Sequence, residues 1–80
     1  MDELDIAMNT YRVLVLEEDP YDIIDEDVIA FYIDVFEINN IESSQKETVA
    51  DICISIFEEH EHYEKCADLV EYKEKLKYGV

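Results

Sequence analysis

The chain has 80 residues, 49% of them apolar, with 22 acidic side chains against six basic ones and a formal net charge of −16. The apolar share excludes a disordered acidic tail, and a single Gly and a single Pro argue against a sandwich or barrel built on many tight turns. The charge excludes direct nucleic-acid binding and adhesion to an anionic membrane, since no basic patch exists to displace counterions, and it points to a basic protein surface as the natural partner.

Four segments carry helical spacing, and together they predict an all-α fold: a compact bundle of three to four helices over approximately 2–18, 25–39, 44–60 and 62–78. In the first, Leu4, Ala7, Met8, Tyr11, Leu14 and Val15 share one face, and Pro20 follows as a stop. The second carries one stripe of Ile24, Val28, Phe31, Val35 and Ile38 and another of Ile29, Ile33 and Phe36. The third opens on Ser44-Gln-Lys-Glu47, a capping-box pattern. Val49, Ile52, Cys53, Ile56 and Phe57 then follow at helical spacing. A hinge near His60 separates it from the fourth, whose inner stripe reads Tyr63, Cys66, Ala67 and Val70 and whose end is marked by Gly79. The alternative is α+β: the β-prone runs near 10–16 and 28–36 become strands ahead of a C-terminal helical hairpin.

No low-complexity linker divides the chain, which reads as one domain over 1–80. The start, MDELDIAMN, is acidic where a secretory signal is basic, and no apolar run approaches transmembrane length. Cys53 and Cys66 then read as reduced thiols, and the expected location is cytoplasmic.

The charge is unevenly spread. Residues 1–42 hold 13 acids and one base, Arg12, while residues 43–80 hold nine acids and five lysines. Glu17, Glu18, Asp19, Asp22, Asp25, Glu26 and Asp27 crowd the sequence around Pro20. They read either as a solvated loop that caps the next helix or as a fixed negative patch that meets Lys and Arg of a partner. Ile6, Val13 and Leu16 on the back of the first helix, and Ile29, Ile33 and Phe36 on the back of the second, exceed what so small a bundle can cover. An apolar patch left uncovered marks an interaction surface. With Asp34 and Glu37 beside it, this is the predicted partner-binding surface; a homodimer through the same apolar stripe is the rival use.

Other chemistries fit poorly. DPYDIIDED has no Gly and places Ile23 and Ile24 where a calcium loop needs oxygen ligands. His60, His62 and Cys66 are metal-ligand types but lack the paired spacing of a structural zinc site. Cys66 lies on an apolar stripe, where a thiol stays protonated, and no Gly-rich phosphate loop is present. No catalytic residue, metal or cofactor is therefore expected. Of the tyrosines, Tyr11 and Tyr63 read as core, and Tyr21, Tyr32 and Tyr72 as candidates for the surface.

Residues 47–80 resemble one tetratricopeptide hairpin, whose period is about 34 residues. Phe57, Tyr63 and Cys66 fall at its aromatic, aromatic and small positions; Glu61 stands where it has Gly, and Lys73 where it has a small residue. The implied structure is a helical hairpin. In size, charge and lack of a catalytic motif, the chain also resembles the small acidic inhibitors of phages and plasmids, among them nucleic-acid mimics, anti-restriction and anti-CRISPR proteins and nuclease immunity proteins. That resemblance implies an inhibitor or adaptor that occupies a basic, often nucleic-acid-binding, surface of another protein. The alternative is a homodimeric helical regulatory or structural protein whose charge serves solubility.

Overall fold

The computed structural model describes residues 2–24 and 30–78. The expectations placed on Asp25, Glu26, Asp27, Val28 and Ile29, and on Gly79, lie outside the described residues. The fold is an all-α bundle: α1 (Glu3–Leu14), α2 (Pro20–Ile24), a 3₁₀ helix (Val35–Asn40), α3 (Ser43–Glu59) and α4 (Tyr63–Tyr78). No strand occurs among the described residues, so the strands considered near 10–16 and 28–36 are not formed there.

Asp2 caps α1, its carboxylate accepting from the backbone N–H of Leu4 at 3.0 Å. The helix stops at Leu14, earlier than the expected residue 18. Glu17 takes φ of 56°, and the Glu18 N–H donates to the Arg12 carbonyl at 3.0 Å. This is the left-handed C-terminal closure that usually carries Gly. Pro20 is therefore not the stop but the first residue of α2, a position where its missing N–H costs nothing.

α3 and α4 form an antiparallel hairpin. Ile54 pairs with Cys66 through a thiol bond to the carbonyl oxygen, and Asp51 pairs with Lys73. The expected break near His60 is present. Glu61 takes φ of 62°, and the His62 N–H donates to the Phe57 carbonyl at 2.8 Å. The capping box is not formed, because the helix begins two residues earlier than that reading requires. The N-cap is Glu42, which makes no side-chain cap bond, so Ser44 already lies inside the first turn.

α1 lies across this hairpin. Ala7, Tyr11 and Leu14 join Val49, Ala50, Cys53, Ile56, Phe57 and Leu69 in the main core. Tyr11 and Phe57 meet edge to face, with centroids 5.9 Å apart, a favoured aromatic geometry. The inner stripe of α4 is not the expected Tyr63, Cys66, Ala67 and Val70. Leu69 is fully buried, with Cys66 and Tyr72 beside it, whereas Tyr63 is 62% exposed, Val70 is 47% exposed and Ala67 is also exposed. Both sets satisfy helical spacing; the position of α1, which draws Asp68 towards Tyr11, selects between them.

The expected α-helix over 25–39 is absent in its described part. Residues 30–34 are irregular and cross the back of α1, and the 3₁₀ helix follows. Two buried polar side chains of α1 hold this segment. Asn9 donates to the Ala30 carbonyl at 3.2 Å. The Thr10 hydroxyl donates to the Ile6 carbonyl at 2.8 Å and accepts from the Tyr32 N–H at 3.0 Å. A β-branched and aromatic run has weak helix preference, so these bonds and apolar burial decide its course. Val13, Ile23 and Val35 form a second small core there, with Phe31 and Ile33 packed on it. The back of α1 is thereby covered at Val13, and only Leu16 of its three back-face residues is exposed.

Candidate partner-binding surface

The predicted surface residues fall into three groups. Ile33 turns inward and packs on both cores, so it leaves the surface. Helical spacing puts it beside Phe36, and the irregular backbone does not keep that spacing. Glu18 is engaged within the chain: the Arg12 guanidinium meets both of its oxygens, with Nη2 to Oε1 at 2.8 Å and Nε to each oxygen at 3.1 Å. Those hydrogen bonds hold the Glu18 carboxyl below its ordinary value. The remaining described residues, Glu17, Asp19, Asp22, Asp34, Phe36 and Glu37, are exposed.

Phe36 belongs to one feature that sequence reasoning missed, and Asp19, Asp22, Asp34 and Glu37 lie within two residues of it in sequence. Tyr21 on α2 and Phe36 on the 3₁₀ helix are in contact, with ring centroids 4.9 Å apart and planes tilted by 59°. Tyr21 is 66% exposed and Phe36 48% exposed. Each ring sits at the start of its short helix, and an Asp two residues earlier closes each start. Asp19 Oδ1 accepts from the Tyr21 N–H at 2.9 Å, and Asp34 Oδ1 accepts from the Phe36 N–H at 3.1 Å. Asp22 and Glu37 follow the two rings directly in sequence, and Glu37 accepts from Asn40 Nδ2 at 3.0 Å. Asp19 thus fits the capping reading of the acidic stretch, and Asp34 makes the same bond at the 3₁₀ helix. Two Asp-x-aromatic patterns, 19–21 and 34–36, were the available sequence signal.

A cleft of about 420 Å³ adjoins this region, with Glu17, Glu18, Asp19 and Pro20 on one wall and Lys46 and Tyr72 among the residues opposite. Its charge is mixed. Around the other residue types singled out earlier, the geometry is structural. His60 caps the end of α3, and His62 packs edge-on against Phe57, with centroids 6.0 Å apart. The Cys66 thiol donates to the Ile54 carbonyl. Among the described residues, no three His, Cys, Asp or Glu side chains gather as a metal cage. Burial pushes the Cys53 thiol up to about 12, which suits a core residue rather than a nucleophile. No described helix is long and apolar enough to cross a membrane.

No protein-family model matches the chain, and neither the curated proteins nor the solved structures compared with it give a significant match.

Proposed function

We propose that this protein is an acidic inhibitor or adaptor that docks on a basic, nucleic-acid-binding surface of a partner protein. The observation that carries this reading is the exposed Tyr21–Phe36 contact, with capping carboxylates at Asp19 and Asp34 and further acids at Asp22 and Glu37. Aromatic side chains are enriched at protein interfaces. Exposed carboxylates near them in sequence add charge complementarity, which speeds encounter and selects basic partners. The net charge of −16 extends the same attraction over distance. The homodimer reading rested on two apolar stripes of one helix; the described part of that segment is not α-helical, and its Ile33 is packed inside.

The test is capture of partners from a lysate of the native host on the immobilised protein, followed by competition. A partner should leave as salt is raised, and double-stranded DNA or RNA should displace it. A partner that holds nucleic acid and this protein together, with affinity indifferent to salt, sinks the reading. Sedimentation at moderate salt checks the alternative, because a clean monomer at high concentration excludes a homodimer.

A further inference from the structure

The tilted contact of Tyr21 with Phe36 leaves both rings largely open to solvent. Asp19 and Asp34 are fixed in place because one oxygen of each is tied to the backbone beside a ring. Neither second oxygen has a partner among the described residues. Arg12 meets Glu18, and Lys46 lies in the cleft that Asp19 also lines, whereas neither ring lines that cleft. The exposed rings and their capping acids are complementary to a cation. Two cations are available to a partner, and they differ. An ammonium is a compact, strongly hydrated point charge. A guanidinium is flat and weakly hydrated, stacks on an aromatic face and offers forked donors to carboxylates at its edge. Two exposed rings in contact, each two residues after a capping carboxylate, match the second.

We propose that this surface is an arginine-reading site: a partner's guanidinium lies against the Tyr21–Phe36 pair and donates to the acids beside it. The inference rests on the reading under Proposed function and sharpens it from a basic surface to an arginine-presenting one.

The experiment titrates the intact chain into labelled oligoarginine and oligolysine of equal length, followed by fluorescence anisotropy at low and moderate salt. Oligoarginine should bind roughly tenfold tighter than oligolysine, the scale of a partly desolvated cation–π contact. The Tyr21→Ala/Phe36→Ala variant should lose that preference while keeping the salt-dependent binding common to both peptides. The Tyr21→Phe/Phe36→Tyr variant keeps two rings and should keep the preference, which separates ring loss from misfolding. Equal binding of the two peptides to the unaltered chain overturns the arginine inference alone and leaves the basic-surface reading standing. Failure of both peptides to bind at low salt overturns both. A preference that survives the double alanine change places arginine recognition elsewhere and also overturns the inference.

Discussion

The Tyr11 phenol donates to Asp68 Oδ2 at 2.6 Å, joining α1 to α4 at the edge of the main core. The same ring packs edge-on against Phe57 and has the Lys65 ammonium 5.7 Å from its centroid. One residue of α1 thus touches both helices of the hairpin. Tyr11→Phe keeps the ring and removes only the hydroxyl. It should destabilise the fold by about 1–2 kcal/mol, the net worth of a hydrogen bond to a carboxylate. Urea unfolding followed by circular dichroism measures it; an unchanged midpoint would show that water replaces the bond without loss.

Alkaline pH should weaken the fold through buried phenol and thiol groups. Tyr11 is pushed up to about 12, by burial first and then by its bond to Asp68, and burial pushes Cys53 up to about 12. Burial also raises Tyr72. A group whose folded value is raised stabilises the fold fully below its unfolded value and loses that contribution as pH climbs to the folded one. For Cys53 the window opens near its ordinary 9.0, and for Tyr11 near 10.0; both close near 12. Thermal melts should therefore hold level up to about pH 9 and fall steadily above it. In Cys53→Ala the decline should still begin near pH 9, because burial also raises Cys66, but it should be shallower up to the tyrosine range.

Glu17 and Glu61 hold left-handed backbone, with φ of 56° and 62°. A residue with a Cβ is strained there by roughly 1–2 kcal/mol, part of which Gly gives back through its freer unfolded chain. Glu17→Gly and Glu61→Gly should each stabilise the protein by about 0.5–1 kcal/mol. The two positions close different helices, so the double variant should approach the sum. A loss of stability in either would mean that the glutamate side chain makes a contribution larger than the strain.

Asp34 separates capping from charge. Asp34→Asn retains a side-chain oxygen for the Phe36 N–H, so the melting temperature should stay close to that of the unaltered chain. Asp34→Ala removes the cap and should cost about 1 kcal/mol. If the acidic rim binds a basic partner, both variants should weaken that binding, and Asp34→Asn should do so at full stability. Retained affinity in Asp34→Asn would assign this carboxylate a structural role only.

Much of the bundle is legible in the sequence, because helical spacing is a local property. α3 was placed within one residue at each end, and the break near His60 was located without a Gly or Pro to mark it. Val49, Cys53, Ile56 and Phe57, which share helical spacing in the sequence, are buried. Ile52 met the same spacing but lies at the edge of the buried stripe and is 41% exposed. Tyr63 was read as core because its stripe on α4 is as regular as the true one, Cys66, Leu69 and Tyr72. A helix of that composition does not state which side its neighbour will take.

The acidic balance of the first half, the absence of a calcium-loop pattern and the helical class follow from residue type and local spacing, and the sequence by itself determined them. The path of residues 30–40 and the meeting of Tyr21 with Phe36 were decided by tertiary structure. Asn9 and Thr10 hold a segment more than twenty positions away through Ala30 and Tyr32, while Ile23 and Val35 close over Val13. Hydrogen bonds and burial between distant residues outweigh the weak helix preference of a β-branched and aromatic run. They turn Ile33 inward and leave two aromatic rings, each beside a capping aspartate, facing the solvent.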